Sequence, residues 1–130
     1  MRRFFADTFY WIALFNPRDA WHERVMTFSR TLGAYHLTTT EEVLSEFLTF
    51  CSRAAALVRS VMANANSTVL PQSHPAFLQA LALYETRLDK TYSLVDCGSM
   101  TLMRQQGLTE VLTNDHHFTQ EGFQVVFPEN

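Results

Sequence analysis

Two acidic residues of this 130-residue chain directly follow short apolar runs that have the character of buried strands. Asp7 comes after residues 4–6, and Asp115 comes just after residues 111–114. Ligands of an open parallel sheet bind beyond the carboxyl ends of its strands, so both carboxylates lie where a functional site is expected. Each acid could instead be a simple helix N-cap.

Two further acids border the apolar faces of predicted helices. At about 100° per residue, Glu46 falls at the edge of the stripe that contains Phe50. Asp96 is followed at i+4 and i+7 by Met100 and Met103, so its carboxylate is expected along a buried face. Burying a lone carboxylate costs free energy unless a cation or hydrogen-bond donors compensate the charge.

One divalent-metal site is the economical explanation of these four acids. Hard carboxylate oxygens suit Mg²⁺ or Mn²⁺. The alternative is four separate acids, each an N-cap or a buried hydrogen-bonding group, and the residue pattern favours neither interpretation over the other. His22, His36 and His74 show no ligand spacing, which disfavours zinc.

Short apolar strands alternate with helices along the chain, and Thr39 with Glu42 forms a predicted capping box for the third helix. This alternation predicts a single α/β domain over residues 1–130, a three-layer α/β/α sandwich around a mostly parallel sheet. The predicted strands cover residues 3–6, 34–38, 68–70, 111–113 and 124–127, and the predicted helices cover residues 9–14, 20–32, 43–51, 54–65, 73–87 and 93–106.

Composition excludes several classes of protein. A net charge of −3 argues against sequence-blind coating of nucleic acids, which usually requires strong basicity. The apolar runs are far shorter than the ~20 residues that span a bilayer. Cys51 and Cys97 do not form a Cys-x-x-Cys pair, which favours the reducing cytoplasm over a disulfide scaffold.

The order and spacing of five short motifs resemble those of the PIN-domain nucleases, and most closely those of the VapC-type toxins of bacterial toxin–antitoxin pairs. The resemblance covers essentially the whole chain. The motifs are Phe-Ala-Asp-Thr at 5–8, Thr-Thr at 38–39 with Val-Leu-Ser-Glu at 43–46, Ser-Leu-Val-Asp-Cys-Gly-Ser-Met at 93–100, Leu-Thr-Asn-Asp-His-His-Phe at 112–118 and Gly-Phe at 122–123.

The resemblance implies a five-stranded parallel sheet and a metal-dependent endoribonuclease that hydrolyses single-stranded or structured RNA. By motif position, Thr8 matches the small hydroxyl residue beside the first acid, and Ser99 matches a frequent polar neighbour. Both are candidate substrate-binding residues. The matches to the family's catalytic quartet, which holds Mg²⁺ or Mn²⁺, are Asp7, Glu46, Asp96 and Asp115.

The chemistry of such a site requires no side-chain nucleophile. A carboxylate-held cation neutralises the charge that develops on a phosphodiester and lowers the pKa of water at the site, so that hydroxide can attack. We expect Asp7 and Asp96 to be direct ligands, and Asp115 a ligand or a partner that holds one. Glu46 is expected either to bind the metal through water or to orient the attacking water.

Two cationic residues upstream of Asp96 could contact the RNA phosphates. Arg87 and Lys90 are the weaker members of the predicted substrate-binding set, because most exposed cations only solvate helices.

The VapC resemblance also implies a partner, a small antitoxin, and we expect a cationic side chain of that antitoxin to enter the acidic pocket. We further expect a homodimer. The aromatic residues between Phe9 and Trp21 fit either the core or such an interface. An alternative function is a catalytically weak or inactive PIN-fold binding module, suggested by Phe9 and Asn114, which depart from the family pattern. A phosphoacceptor domain of the receiver type lacks the early paired acids that it needs.

Overall fold

The fold is built on one parallel sheet, and the structure, a computed structural model, describes residues 1–129. The five strands are arranged in the order β3-β2-β1-β4-β5, which confirms the predicted sheet. The strands are β1 (Arg2–Ala6), β2 (Tyr35–Thr40), β3 (Ser67–Leu70), β4 (Glu110–Leu112) and β5 (Gln124–Val125).

Helices connect successive strands, as parallel pairing requires. Helix α1 packs against α2 and α3, and α5 packs against α6. The helices are α1 (Thr8–Phe15), α2 (His22–Thr31), α3 (Glu41–Phe50), α4 (Ala55–Ala63), α5 (His74–Thr86), α6 (Leu94–Gln106) and α7 (His117–Gln120), with a short 3-10 turn at Leu88–Lys90.

The central strand β1 carries the core of the sheet. Phe4, Phe5 and Ala6 are completely buried, as expected for a strand that is covered on both faces. Phe5 pairs with Thr38 on one side and with Val111 on the other. Strands β2 and β3 therefore lie on one side of β1, and β4 and β5 lie on the other. The strand order reverses between β1 and β4, so the carboxyl ends of these two strands form the switch point of the fold.

The predicted capping box of Thr39 and Glu42 is wrong. Strand β2 continues to Thr40, and the Oγ1 atom of Thr40 accepts the N–H of Val43 at 3.1 Å to cap α3. Thr39 instead donates its hydroxyl to the carbonyl of Ala6 at 2.9 Å. Three consecutive threonines offer equivalent caps, and the pairing of β2 with β3 selects the last one.

Other predicted boundaries shift by a few residues. Helix α2 begins at His22 because Asp19 holds a turn through its Oδ1 atom, which accepts the N–H of Trp21 at 2.8 Å. Strand β5 is shorter than predicted, and α7 and the 3-10 turn were not expected. Helix α6 covers Leu94–Gln106 and is followed by Gly107 with a φ of +68°, so it agrees with the predicted range 93–106 to within one residue.

The N-terminal aromatic residues divide between the core and its edge. Tyr10 and Trp11 are buried core residues. Phe9 and Trp21 are half-buried and pack on each other and on Phe127. Within residues 1–129, no helix combines the length and the apolar character that a membrane span needs.

Candidate metal and catalytic site

The switch point places Asp7 directly beyond β1 and residues 113–115 directly beyond β4. Asp7 is the N-cap residue of α1 by position, but its side chain makes no capping hydrogen bond. The simple N-cap interpretation of Asp7 therefore does not account for its carboxylate.

Thr113 links the acids that follow the two central strands. Its buried Oγ1 atom donates to Oδ2 of Asp7 at 2.8 Å and accepts the N–H of Asp115 at 3.2 Å. The sequence pattern identified Thr113 only as a strand residue. A hydroxyl at the last buried position before an acid was the signal that could have identified its role.

Glu46 is held by the residue beside Asp7. The hydroxyl of Thr8 donates to Oε1 of Glu46 at 2.6 Å, so α1 and α3 bring these two side chains together. Thr8, predicted to bind substrate, thus has a defined partner inside the site. Its contact with substrate stays a prediction.

Asp96 occupies a more exposed position than expected. Met100 and Met103 are fully buried, whereas Asp96 is half-buried in the first turn of α6. Its Oδ2 atom accepts the backbone N–H of Ser93 at 3.1 Å, and its own N–H donates to the hydroxyl of Ser93 at 3.0 Å. The carboxylate reaches back to the helix start because it belongs to this capping box.

Asp115 lies among two histidines. Its Oδ1 atom accepts the N–H of His117 at 2.9 Å and lies 3.2 Å from Nδ1 of the same residue. Ligand atoms of Asp115, His116 and His117 all lie within 4.8 Å of one another, an arrangement that could hold a metal ion. The ring of His117, the first residue of α7, also packs on Tyr92.

The charge of Asp96 on α6 affects the pKa of Asp7. Burial raises the pKa of Asp7 from 3.8 to about 7, and the negative charge of Asp96 adds to the rise. Hydrogen bonds from Thr113 and from the backbone of Thr8 act in the opposite direction. Glu46 contributes a smaller repulsion.

The same coupling reaches the other acids. Burial raises the pKa of Asp96, and the charges of Asp115 and Glu46 contribute to the rise. The negative charges of the four acids therefore repel one another within one site. A shared cation would compensate these charges better than separate hydrogen bonds can.

Ser99 lies one turn beyond Asp96 on α6 and is buried. Its Oγ atom has no hydrogen-bond partner among residues 1–129. A buried hydroxyl without a partner requires an explanation, and a bound water or ion is one. A divalent cation fits this pocket because the donors around it are hard oxygens and because the carboxylates raise one another's pKa.

Arg87 and Lys90, the two predicted cationic substrate contacts, lie next to acidic side chains outside the four-acid site. Arg87 forms an ion pair with Glu121 at 2.8 Å, and Nζ of Lys90 lies 3.9 Å from Asp89. No sequence pattern singled out Glu121. Glu121 also accepts hydrogen bonds from Arg104 on α6 and from Tyr92 just before α6. It therefore connects the end of α7 to α6.

The α/β sandwich and the carboxylates at its switch point together define an α/β protein with a candidate site for a divalent cation. Residues 4–123 match the PIN domain model, and the chain belongs to the PIN domain family, whose nucleases generally use a divalent metal. The resemblance inferred from the motifs is confirmed.

Known proteins resemble the chain over nearly its full length. The 23S rRNA-specific endonuclease VapC20 of Mycobacterium tuberculosis is 32% identical over 130 residues, which covers 96% of this chain and 98% of the relative. The crystal structure of VapC20, described as a sarcin–ricin loop cleaving toxin, superposes with a TM-score of 0.86 at 26% identity, covering 95% of this chain and 98% of the other.

FitAcB of Neisseria gonorrhoeae shares the fold. Its crystal structure superposes with a TM-score of 0.60 at 16% identity, over 94% of this chain and 95% of the other.

Proposed function

We propose that this protein is a metal-dependent endoribonuclease and the toxin of a toxin–antitoxin pair. The observation that carries the proposal is the coupling of four carboxylates at the switch point of a PIN domain, where Asp7 is buried and has a pKa raised to about 7. The similarity to VapC20 supports the proposal, since that relative is named as an rRNA-specific endonuclease.

In this mechanism Asp7 and Asp96 would be the direct ligands of Mg²⁺ or Mn²⁺. When bound, the cation supplies positive charge for the phosphodiester and lowers the pKa of water at the site. Thr113 orients the carboxylate of Asp7 through its 2.8 Å hydrogen bond. Asp115 completes the ligand set or holds it in place, with its own Oδ1 fixed by the N–H of His117.

Glu46 orients the attacking water in this proposal. Its Oε1 atom is held by the hydroxyl of Thr8, so the second oxygen remains to accept a proton. Ser99, one turn beyond Asp96, remains a candidate substrate-binding residue, and its buried hydroxyl has no partner within residues 1–129. Arg87 and Lys90 remain weaker candidates for phosphate contacts.

The two departures from the family pattern have their own contacts in the structure. Phe9 packs against Trp21 and Phe127. The side-chain amide of Asn114 donates to Glu129 at 3.1 Å. Neither contact involves one of the four acids, so we favour an active enzyme over an inactive binding module.

Structured ribosomal RNA is the proposed substrate class, because VapC20 acts on 23S rRNA. A small antitoxin is the proposed inhibitor, and a cationic side chain from it would neutralise the acidic pocket. The cytoplasm is the proposed location of the toxin.

We also propose a homodimer. The exposed apolar side chains at the end of α5 and in the 3-10 turn, Tyr84 and Leu88, offer a surface that a second copy would bury.

The decisive experiment incubates purified protein with single-stranded RNA and with ribosomal RNA in the presence of Mg²⁺ or Mn²⁺. We expect cleavage that EDTA stops, and that Asp7→Asn and Asp96→Asn each abolish. Cleavage that survives both EDTA and Asp96→Asn would come from a contaminating nuclease and would remove support for the proposal. Intact RNA under every condition would favour the inactive module.

A further inference from the structure

A cavity of about 490 Å³, lined in part by the residues that precede Asp96 on α6, has no role in the mechanism above. The residues that matter for its chemistry are Glu42, Gln72, His74, Phe77, Leu94 and Val95. We infer that this cavity binds a guanine base of the RNA next to the cleaved phosphodiester, and that Glu42 reads the Watson–Crick edge of that base. The inference rests on the proposed ribonuclease function.

Two helices connect the cavity to the catalytic acids. Glu42 precedes Glu46 by one turn of α3, so both side chains lie on the same side of that helix. Leu94 and Val95, which line the cavity, directly precede Asp96 on α6. A base in the cavity would therefore belong to a nucleotide adjacent to the phosphate at the acidic site.

The walls of the cavity offer surfaces suited to a planar base. Phe77 is 50% exposed, so one face of its ring is free to stack. Leu94 and Val95 are half-buried and supply apolar contacts. Unstacked bases of single-stranded RNA are commonly held by stacking on aromatic rings and by hydrogen bonds to their edges.

Glu42 supplies the carboxylate that would accept hydrogen bonds from the base. Its Oε1 atom is buried and lacks a hydrogen-bond donor within the part of the chain that the structure describes. A buried carboxylate oxygen left without a donor is costly, so a turn of the Glu42 side chain toward an occupant that brings N–H groups into the cavity is favoured. An apolar side chain of a protein partner would fill the cavity but would leave this oxygen unsatisfied.

Guanine is the base that satisfies a carboxylate best. Its ring N1–H and exocyclic N2–H₂ point in the same direction and can donate to both oxygens of one carboxylate. Adenine and cytosine present an amino group beside a ring acceptor, which would face the second oxygen unfavourably. The N-terminus of the 13-residue helix α5 opens onto the same cavity through Ser73 and His74, and its dipole offsets the negative charge of Glu42 for a nearby phosphate.

The first test measures cleavage of short uridine strands that contain a single guanosine, inosine, adenosine or cytidine. Inosine lacks only the N2 amino group of guanosine. For the wild-type protein we expect cleavage next to the guanosine, and a roughly tenfold lower kcat/KM when inosine replaces it. Glu42→Gln should bring the ratio of guanosine to inosine close to one, whereas Glu85→Gln, the same charge change on an exposed part of α5, should keep the wild-type ratio.

The second test measures binding without cleavage. Guanosine and inosine monophosphates are titrated into the metal-free protein, and the backbone amide signals of Gln72 and Val95 are followed by NMR. We expect tighter binding of the guanosine nucleotide, again by roughly tenfold, and loss of that preference in Glu42→Gln. Phe77→Ala should weaken both nucleotides equally, because stacking does not read the edge of the base.

The outcomes separate this inference from the proposed function. Absence of metal-dependent RNA cleavage would refute the ribonuclease function. The binding test would still decide whether the cavity prefers guanine. Equal kcat/KM values for all four bases would overturn the guanine site. A Glu42→Gln protein that retains the wild-type preference for guanosine over inosine would also overturn it. Nucleotides that leave the signals of Gln72 and Val95 unchanged would also overturn it.

Discussion

Thr113 donates its hydroxyl to Asp7 across 106 positions of the chain, at a distance of 2.8 Å. The same oxygen accepts the backbone N–H of Asp115. One buried hydroxyl thus sets the relative positions of two of the proposed catalytic acids. Its hydrogen bond lowers the pKa of Asp7, against the larger upward effect of burial.

Removing this hydroxyl should make Asp7 harder to ionise. In Thr113→Val the hydrogen bond that lowers the pKa of Asp7 is lost, so the acidic limb of the pH–rate profile should move to higher pH. A hydrogen bond to a charged group contributes about 1.5 to 3 kcal/mol, which corresponds to a shift of about one to two pH units. Thr113→Ser retains the hydroxyl and should keep the wild-type profile. A uniform loss of rate at every pH would assign Thr113 a purely structural role.

Metal should relieve the repulsion among the four acids. A folded-state pKa of Asp7 raised from 3.8 to about 7 means that its stabilising effect is complete at low pH and is lost as the pH rises through about 7. An ion that binds only the folded protein adds about 2.7 kcal/mol at a hundredfold excess over Kd. We therefore expect Mn²⁺ to raise the Tm at pH 8 by several degrees and by less at pH 5, measured by calorimetry.

Neutral variants of the acids should mimic part of this effect. Asp7→Asn and Asp96→Asn should raise the Tm of the metal-free protein at pH 8 and abolish the response to Mn²⁺. In Asp96→Asn the new amide oxygen can still accept the N–H of Ser93, so the cap of α6 should survive the change. A lower Tm for Asp96→Asn without metal, together with a full response to Mn²⁺, would exclude Asp96 from the metal site.

Glu121 should stabilise the fold through its two arginine partners. Burial raises its pKa, but hydrogen bonds from Arg87, Arg104 and Tyr92 outweigh burial and lower the pKa to about 2. The stabilisation is therefore present above the ordinary value of 4.5 and is lost as the pH falls through about 2. Glu121→Gln should reduce the free energy of unfolding at pH 7 by about 2 to 3 kcal/mol in urea titrations, and by much less near pH 2.

The exposed pair of Arg2 and Glu110 provides a control for that measurement. Its atoms approach to 2.9 Å, but the side chain of Arg2 is 53% exposed. Surface pairs of this kind contribute about 0 to 1 kcal/mol, so Glu110→Gln should change stability little. Equal effects of the two substitutions at pH 7 would contradict the special role of Glu121.

The proposed homodimer can be tested on the surface that is expected to form it. Leu88 is 71% exposed, and Leu88→Glu should convert a dimer into a monomer in size-exclusion chromatography with light scattering. Met62 is 58% exposed on α4, and Met62→Glu serves as the matched control that should leave the dimer intact. A wild-type protein that is monomeric at high concentration would refute the dimer.

Toxin function predicts a phenotype in cells. Expression of the wild-type protein should arrest growth, and Asp7→Asn should relieve the arrest because it removes a proposed metal ligand. Co-expression of a small neighbouring gene product should also restore growth. Harmless expression of the wild type, without a small neighbouring reading frame, would favour a housekeeping nuclease over a toxin.

Local patterns in the chain were enough to establish the class of fold and to select the four candidate acids. Alternation of short apolar strands with helices depends on local hydrophobic periodicity, which a single chain displays directly. Asp7 and Asp115 were recognisable because they follow strands, and the carboxyl ends of parallel strands meet at one edge of the sheet. The capping of α6 by Ser93 and its end at Gly107 are likewise local properties of the chain.

Tertiary packing, in contrast, selects the side chains that hold those acids. Thr113 and Asp7 are far apart in sequence, and their contact depends on the register of β1 against β4. The choice of Thr40 rather than Thr39 as the cap of α3 depends in the same way on the pairing of β2 with β3. The cavity beside Glu42 exists because three helices meet there, a packing that local periodicity does not encode.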